Sequence, residues 1–103
     1  MSASYRVEYL PAAERDLLEI LQYIARDRPA AARTLVDRFD GAIDRLRRFP
    51  RSAPHPKDDR LRRLGYRVLV VEDYLVFYVL SGRTVQIRRV IHGARRYEFL
   101  LRD

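Results

Sequence analysis

The 103-residue chain contains no cysteine, and lysine occurs once among its 21 basic residues. Without thiols there is no disulfide framework and no thiolate metal site. The two histidines, His55 and His92, lie far apart in sequence and neither has a second ligand at metal-binding spacing. Neither a metal enzyme nor any cofactor is expected. No apolar run approaches the roughly 20 residues that span a bilayer. The opening MSASYRVEYL lacks the basic-then-apolar order of a secretory leader. A cytoplasmic protein is the default expectation. Internal repeats and low-complexity segments are also missing, and the length suits one compact domain over residues 1–103.

What is present is charge, unevenly placed. The formal net charge is +7, and residues 51–103 hold 12 Arg/Lys against 6 Asp/Glu, where residues 1–50 hold 9 against 8. The excess on the second half points to an anionic partner: nucleic acid, an acidic protein segment or an acidic surface. Arginine is general in this composition, so its mere abundance is not a signal.

Periodicity supplies the elements. Tyr5–Leu10 alternates as a short strand. Pro11 suits a first helical turn, and Ala13, Leu17, Leu21 and Ile24 form an inner stripe with Glu14, Arg15, Asp16 and Glu19 outside. Asp27-Arg28-Pro29 breaks this helix. A second begins near Pro29, with Leu35, Phe39, Ile43 and Leu46 inward and an Asp44–Arg48 pair on its surface. Phe49–Arg60, with three of the five prolines, reads as a loop. Three strands follow, Tyr66–Val71, Tyr74–Leu80 and Thr84–His92, the first two joined by a Glu72-Asp73 turn. Tyr66–Val71 is apolar on both faces, which predicts a central position. Ala94–Leu101 predicts a short closing helix after Gly93. The order is β-α-α-β-β-β-α, an α+β fold with a small twisted antiparallel sheet packed against an N-terminal helical hairpin.

Four segments in this order, YRVEYLPAAERDLLEI, DRLRRFP, LGYRVLVVEDYLVFYVL and VQIRRVIHGARRYEFLL, are similar to the RelE/ParE superfamily of toxins from bacterial type II toxin–antitoxin systems. The resemblance covers Tyr5 to Leu101. It implies a growth inhibitor neutralised by a cognate antitoxin, with a concave basic sheet face. It implies one of two targets. ParE-like members poison DNA gyrase, and RelE-like members cut messenger RNA on the ribosome. A third possibility is an inactive protein kept as an antitoxin-binding module.

A metal-independent endoribonuclease needs a base for the ribose hydroxyl, cations at the phosphate and an acid for the leaving oxygen. The RelE-like resemblance would put Tyr97 in the place of a C-terminal tyrosine, Arg95 or Arg96 as a cation beside it, and Arg67 among the strand bases, while His92 is a candidate acid or base because an imidazole suits both roles. The same resemblance places an arginine where this chain has Leu75, and Leu69 is apolar where a second base would help. ParE-like members in turn often carry Asp where Arg96 stands. Gyrase poisoning is the favoured expectation. Each candidate also has a plainer reading. His92 suits proton transfer or a bond to a neighbouring loop, and Tyr97 suits proton donation, base stacking or simple packing. Arg60, Arg62, Arg63 and Arg67 form a basic run suited to a partner or to phosphates, or to solvent alone. Arg89 shares its strand alternation with Val85, Ile87 and Ile91, so either a bulge at Arg88-Arg89 turns it out or it reaches past the core edge. Arg88, Arg89, Arg95 and Arg96 complete the expected binding set.

Overall fold

The computed structural model describes residues 4–93. The closing helix expected over Ala94–Leu101 therefore lies outside the described residues, together with Arg95, Arg96 and Tyr97.

Strand β1 (Arg6–Tyr9) leads into helix α1 (Pro11–Asp27), and Arg28 alone separates α1 from α2 (Pro29–Arg48). Proline sits at the first turn of both helices, where its missing N–H removes no helical bond. Proline also ends what precedes it, because its ring disfavours the helical region at the residue before. Arg28 (φ −140°, ψ 75°) and Phe49 (φ −130°, ψ 70°) both leave the helical region just before Pro29 and Pro50. A one-residue joint is thus enough to fold the hairpin back on itself.

The sheet has the order β1-β4-β3-β2, with β2 (Arg67–Val71), β3 (Tyr74–Ser81) and β4 (Thr84–His92) antiparallel in sequence and β1 parallel to β4. Glu72 takes φ +54° in the β2–β3 turn and Gly82 takes φ +60° in the β3–β4 turn, as two-residue hairpin loops require. The hairpin packs on one face of the sheet. Leu35, Phe39, Ile43 and Leu46 of α2 meet Val71, Val76, Tyr78, Val85, Ile87 and Val90, all buried. Each such aliphatic side chain contributes about 1.5–3 kcal/mol by leaving water, so this layer carries most of the stability.

Three expectations change. Tyr66–Val71 is not central: β2 is an edge strand, and β3 and β4 are the inner pair. Its two apolar faces have another cause. Leu69 and Val71 face the helices, while Val68 packs in a second cluster on the far side of the sheet. Second, the Phe49–Arg60 segment is not all loop, since α3 (Asp59–Arg63) begins inside it, capped by the Asp58 carboxylate, which accepts from the Arg60 and Leu61 amides at 2.9 and 3.1 Å. Third, Asp16 does not face outward but reaches the sheet, as described below.

The proline-rich segment ahead of α3 is stitched to the β2 edge. The Val68 amide donates to the Pro54 carbonyl, 2.9 Å, and Arg67 Nη1 donates to the carbonyls of Arg51 and Ala53. The buried Tyr78 hydroxyl donates to the Pro50 carbonyl at 2.7 Å, and burial pushes that phenol's pKa up from 10.0. His55 Nδ1 sits 2.9 Å from the Tyr66 carbonyl, a bond that places the ring proton on that nitrogen. An edge strand covered in this way offers fewer free amides to a stray partner.

Candidate partner-binding face

The far face of the sheet is built by register. Val70, Leu75 and Ile91 pair across the three antiparallel strands, and Val68, Phe77 and Arg89 form the next row. Leu61 of α3 closes over Tyr66, Phe77 and Ile91 as a small second core. Gly65 (φ +86°) follows α3 and turns the chain into β2; the Gly65 and Tyr66 amides donate to the Arg62 and Leu61 carbonyls. A residue with a side chain would be strained there, which is why glycine ends such helices.

Around this small core lies a cationic rim. Arg60, Arg62 and Arg63 of α3 are exposed, and Arg62 pairs with Asp59. Among the described residues no carboxylate pairs with Arg60 or Arg63. Arg88 lies over the Tyr66 ring, 5.6 Å from its centroid, with Nη1 donating to Gln86 Oε1 at 2.8 Å. Such a cation–aromatic contact contributes about 0.5–1 kcal/mol at an exposed site. Beside these charges, Leu64 is 62% and Val70 63% exposed. Two large apolar side chains so open among arginines suit a partner that is apolar in its middle and acidic at its margins.

Arg88 reaches this position through a bulge. Tyr78 pairs with Ile87 but Phe77 pairs with Arg89, so Arg88 is an extra residue in β4. Alternation is reset there: Val85 and Ile87 face the helices before the bulge and Val90 after it. The bulge coincides with the end of β1 coverage, whose last ladder bond runs from the Leu10 amide to the Ile87 carbonyl. Beyond it, Asp16 takes over. One of its oxygens accepts from Arg89 Nε at 2.7 Å and from the Val90 amide at 2.9 Å, and the other accepts from Arg89 Nη2 at 3.1 Å. Both side chains are mostly covered, 19% exposed for Arg89 and 14% for Asp16. The Asp16 carboxylate therefore serves the β4 edge as a fifth residue of β1 would.

The structure sorts the expected site residues into separate groups. Arg60, Arg62, Arg63 and Arg88 surround the Leu61–Tyr66 core. Arg67 pairs with Tyr78, whose ring lies in the helix-side core, and its guanidinium bonds the proline-rich segment instead. Arg89 is tied to Asp16. His92 is exposed at the end of β4, edge-on to Tyr74 (5.4 Å, 85°). It borders a cleft of about 560 Å³ lined also by Tyr23, Arg28 and Asp73. Burial and the Asp73 carboxylate raise the Tyr74 pKa above 10.0, against a lowering from Arg28. Leu75 packs in the far-side cluster, opposite Val70 and Ile91.

Sequence reasoning missed Asp16, Tyr66, Gln86, Leu64 and Val70 as members of this region. Asp16 had a visible signal. It stands three residues after Ala13 and four before Ile20, on the apolar stripe of α1, and Arg89 stands in an otherwise apolar strand row. A charge out of pattern in each of two elements signals one shared pair.

Comparison with known proteins agrees with this architecture. Residues 7–97 match the family described as the ParE toxin of type II toxin-antitoxin system, parDE. A Sinorhizobium fredii (strain NBRC 101917 / NGR234) protein named as a candidate toxin, Y4kP, is 32% identical over 96 residues, covering 93% of this chain and 96% of its own. Among solved structures, a chromosomal ParDE toxin–antitoxin system from P. aeruginosa superposes with a TM-score of 0.70 at 18% identity, over 88% of this chain and 98% of the other. The RelBE2 toxin–antitoxin complex of Mycobacterium tuberculosis gives 0.61 at 25% identity, over 86% and 98%. The match over nearly the whole described chain, with a fold built from the same elements, shows that this protein belongs to the ParE toxin family of type II toxin–antitoxin systems.

Proposed function

We propose that the protein arrests growth by binding and poisoning DNA gyrase, and that a cognate antitoxin neutralises it by covering the far face of the sheet. The observation that carries this reading is Leu75. In the RelE-like pattern an arginine at this position would neutralise the pentavalent phosphate, and here the position is filled by a leucine packed between Val70 and Ile91. A cation missing from the centre of a cleavage site removes electrostatic stabilisation of the kind worth about 2.7–4 kcal/mol per donor. A face that is apolar at its centre and basic at its rim is better suited to holding a protein surface than to bond cleavage. The same make-up fits an antitoxin segment that is acidic and amphipathic and that folds as it binds.

The test is incorporation of labelled precursors into DNA and protein during the first minutes after induction in a bacterial cell. DNA synthesis should fall first. An immediate collapse of protein synthesis would instead assign messenger RNA cleavage, and unimpaired growth would leave an antitoxin-binding module. The antitoxin half is tested separately: co-expression of the neighbouring small gene product should restore growth, and Val70→Asp should abolish that rescue.

A further inference from the structure

The Asp16–Arg89 contact lies outside the rim just described, yet it controls how the rim is presented. Strand β1 is four residues long and stops supporting β4 at Ile87. A strand with one free edge and alternating apolar residues can slip by one position, and a one-residue slip exchanges the two faces. Here a slip would remove the extra residue and carry Arg88 away from Tyr66. The only described group bonded to the β4 edge at Val90 is the Asp16 carboxylate, which also holds the neighbouring Arg89 through two nitrogens. The helix thereby fixes the strand at the point where the register changes.

We infer that Asp16 is a positioning residue for the partner-binding face: by bonding Val90 and Arg89 it holds β4 in the bulged register that sets Arg88 over Tyr66. This rests on the reading that the Arg88 face is the working surface. Asp16 is mostly covered where α1 meets β4, its side chain 14% exposed. Its contribution is transmitted through Arg88, and substitutions at the two sites are coupled rather than independent.

Two measurements separate this inference from the reading beneath it. The first is structural and needs no partner. With Arg88 over its ring, Tyr66 should displace the proton resonances of the Arg88 side chain, and they should return to ordinary positions in Tyr66→Leu. Asp16→Ala should abolish the displacement and the slow exchange of the Val90 amide. Asp16→Asn, which keeps one acceptor oxygen, should retain part of both, and it carries the test should the alanine variant not fold. The second measurement is the inducer concentration giving half-maximal growth arrest. Asp16→Ala and Arg88→Ala should each raise it about tenfold, the size of truncating one central arginine at an interface, and the double variant should be no worse than either. An unchanged Arg88 displacement in Asp16→Ala overturns the inference, as does a double variant whose losses multiply. Full toxicity of Arg88→Ala would overturn the reading of the face, while the resonance experiment would still decide what Asp16 holds.

Discussion

The two faces of the sheet are made from the same strands and do different work. On the helix side, α2 contributes five buried apolar side chains, Leu35, Phe39, Ala42, Ile43 and Leu46, and the strands supply a continuous inner surface. On the far side, a five-residue helix contributes one, Leu61, and the surface around it is left to arginines, Leu64 and Val70. Burial therefore concentrates stability on one face and leaves the other free to vary in chemistry. A protein that must be recognised by an antitoxin and by a target gains from this separation, because changes of specificity need not disturb the fold.

The sharpest way to break the contrast is truncation on each side. Phe39→Ala, in the middle of the helix-side layer, should cost about 3–5 kcal/mol in urea unfolding, and Leu61→Ala nearer the lower end of the about 2–5 kcal/mol range for such changes, because a five-residue helix can settle into the space. The reverse order would mean that the partner face carries the fold. Next in size is Tyr78→Phe, which strips the buried Pro50 carbonyl of its donor and should cost about 1–3 kcal/mol. Its pH dependence has a definite sign. Because burial raises the Tyr78 pKa in the folded state, the stabilisation is fully present below pH 10.0 and is lost as pH climbs through the higher folded value. Unfolding free energy measured across alkaline pH should fall less in Tyr78→Phe than in the wild type, and the loss that remains comes from Tyr9 and Tyr74, whose phenols burial also pushes above 10.0.

Smaller again is Arg88→Ala, expected to move the unfolding free energy by about 0.5–1 kcal/mol, the size of its contact with the Tyr66 ring, while weakening toxicity. A large loss of stability would make Arg88 a structural residue and erase the division between the faces. Least of all, Asp44→Asn removes an exposed pair on α2, Arg48 Nη2 to Asp44 Oδ2 at 3.7 Å. It should change the unfolding free energy by no more than the roughly 0.3–0.5 kcal/mol typical of helix pairs of this spacing.

Local chemistry wrote some of this plainly in the sequence. Pro11 and Pro29 begin the two helices, and the alternation around Glu72-Asp73 marks the hairpin. The edge position of β2 was not legible, because a strand with two apolar faces reads as buried between neighbours whichever elements cover it. Here the coverage comes from the helices on one face and from α3 and Tyr66 on the other. Helix α3 was hidden for a related reason: His55 and the prolines around it announce a loop, and the cap at Asp58 and the single apolar residue Leu61 are too short a signal for periodicity. The Asp16–Arg89 pair spans 73 residues, and neither partner alone says which distant charge it meets. The bulge at Arg88 has the same character, since an insertion in a ladder is defined only relative to the strand beside it.

The parallel pairing of β1 with β4 also sets a schedule. The first strand, at residues 6–9, waits for residues 84–87 before it has a ladder to join, and Asp16 waits for Arg89 and Val90. At about 5–20 residues per second of synthesis, the helical hairpin exists for seconds with no sheet to pack against. The arginine of β4 reaches its place over Tyr66 only when almost the whole chain has been made. An unfinished copy therefore lacks the far face in its finished form, and the cell has that interval in which an antitoxin can already be waiting.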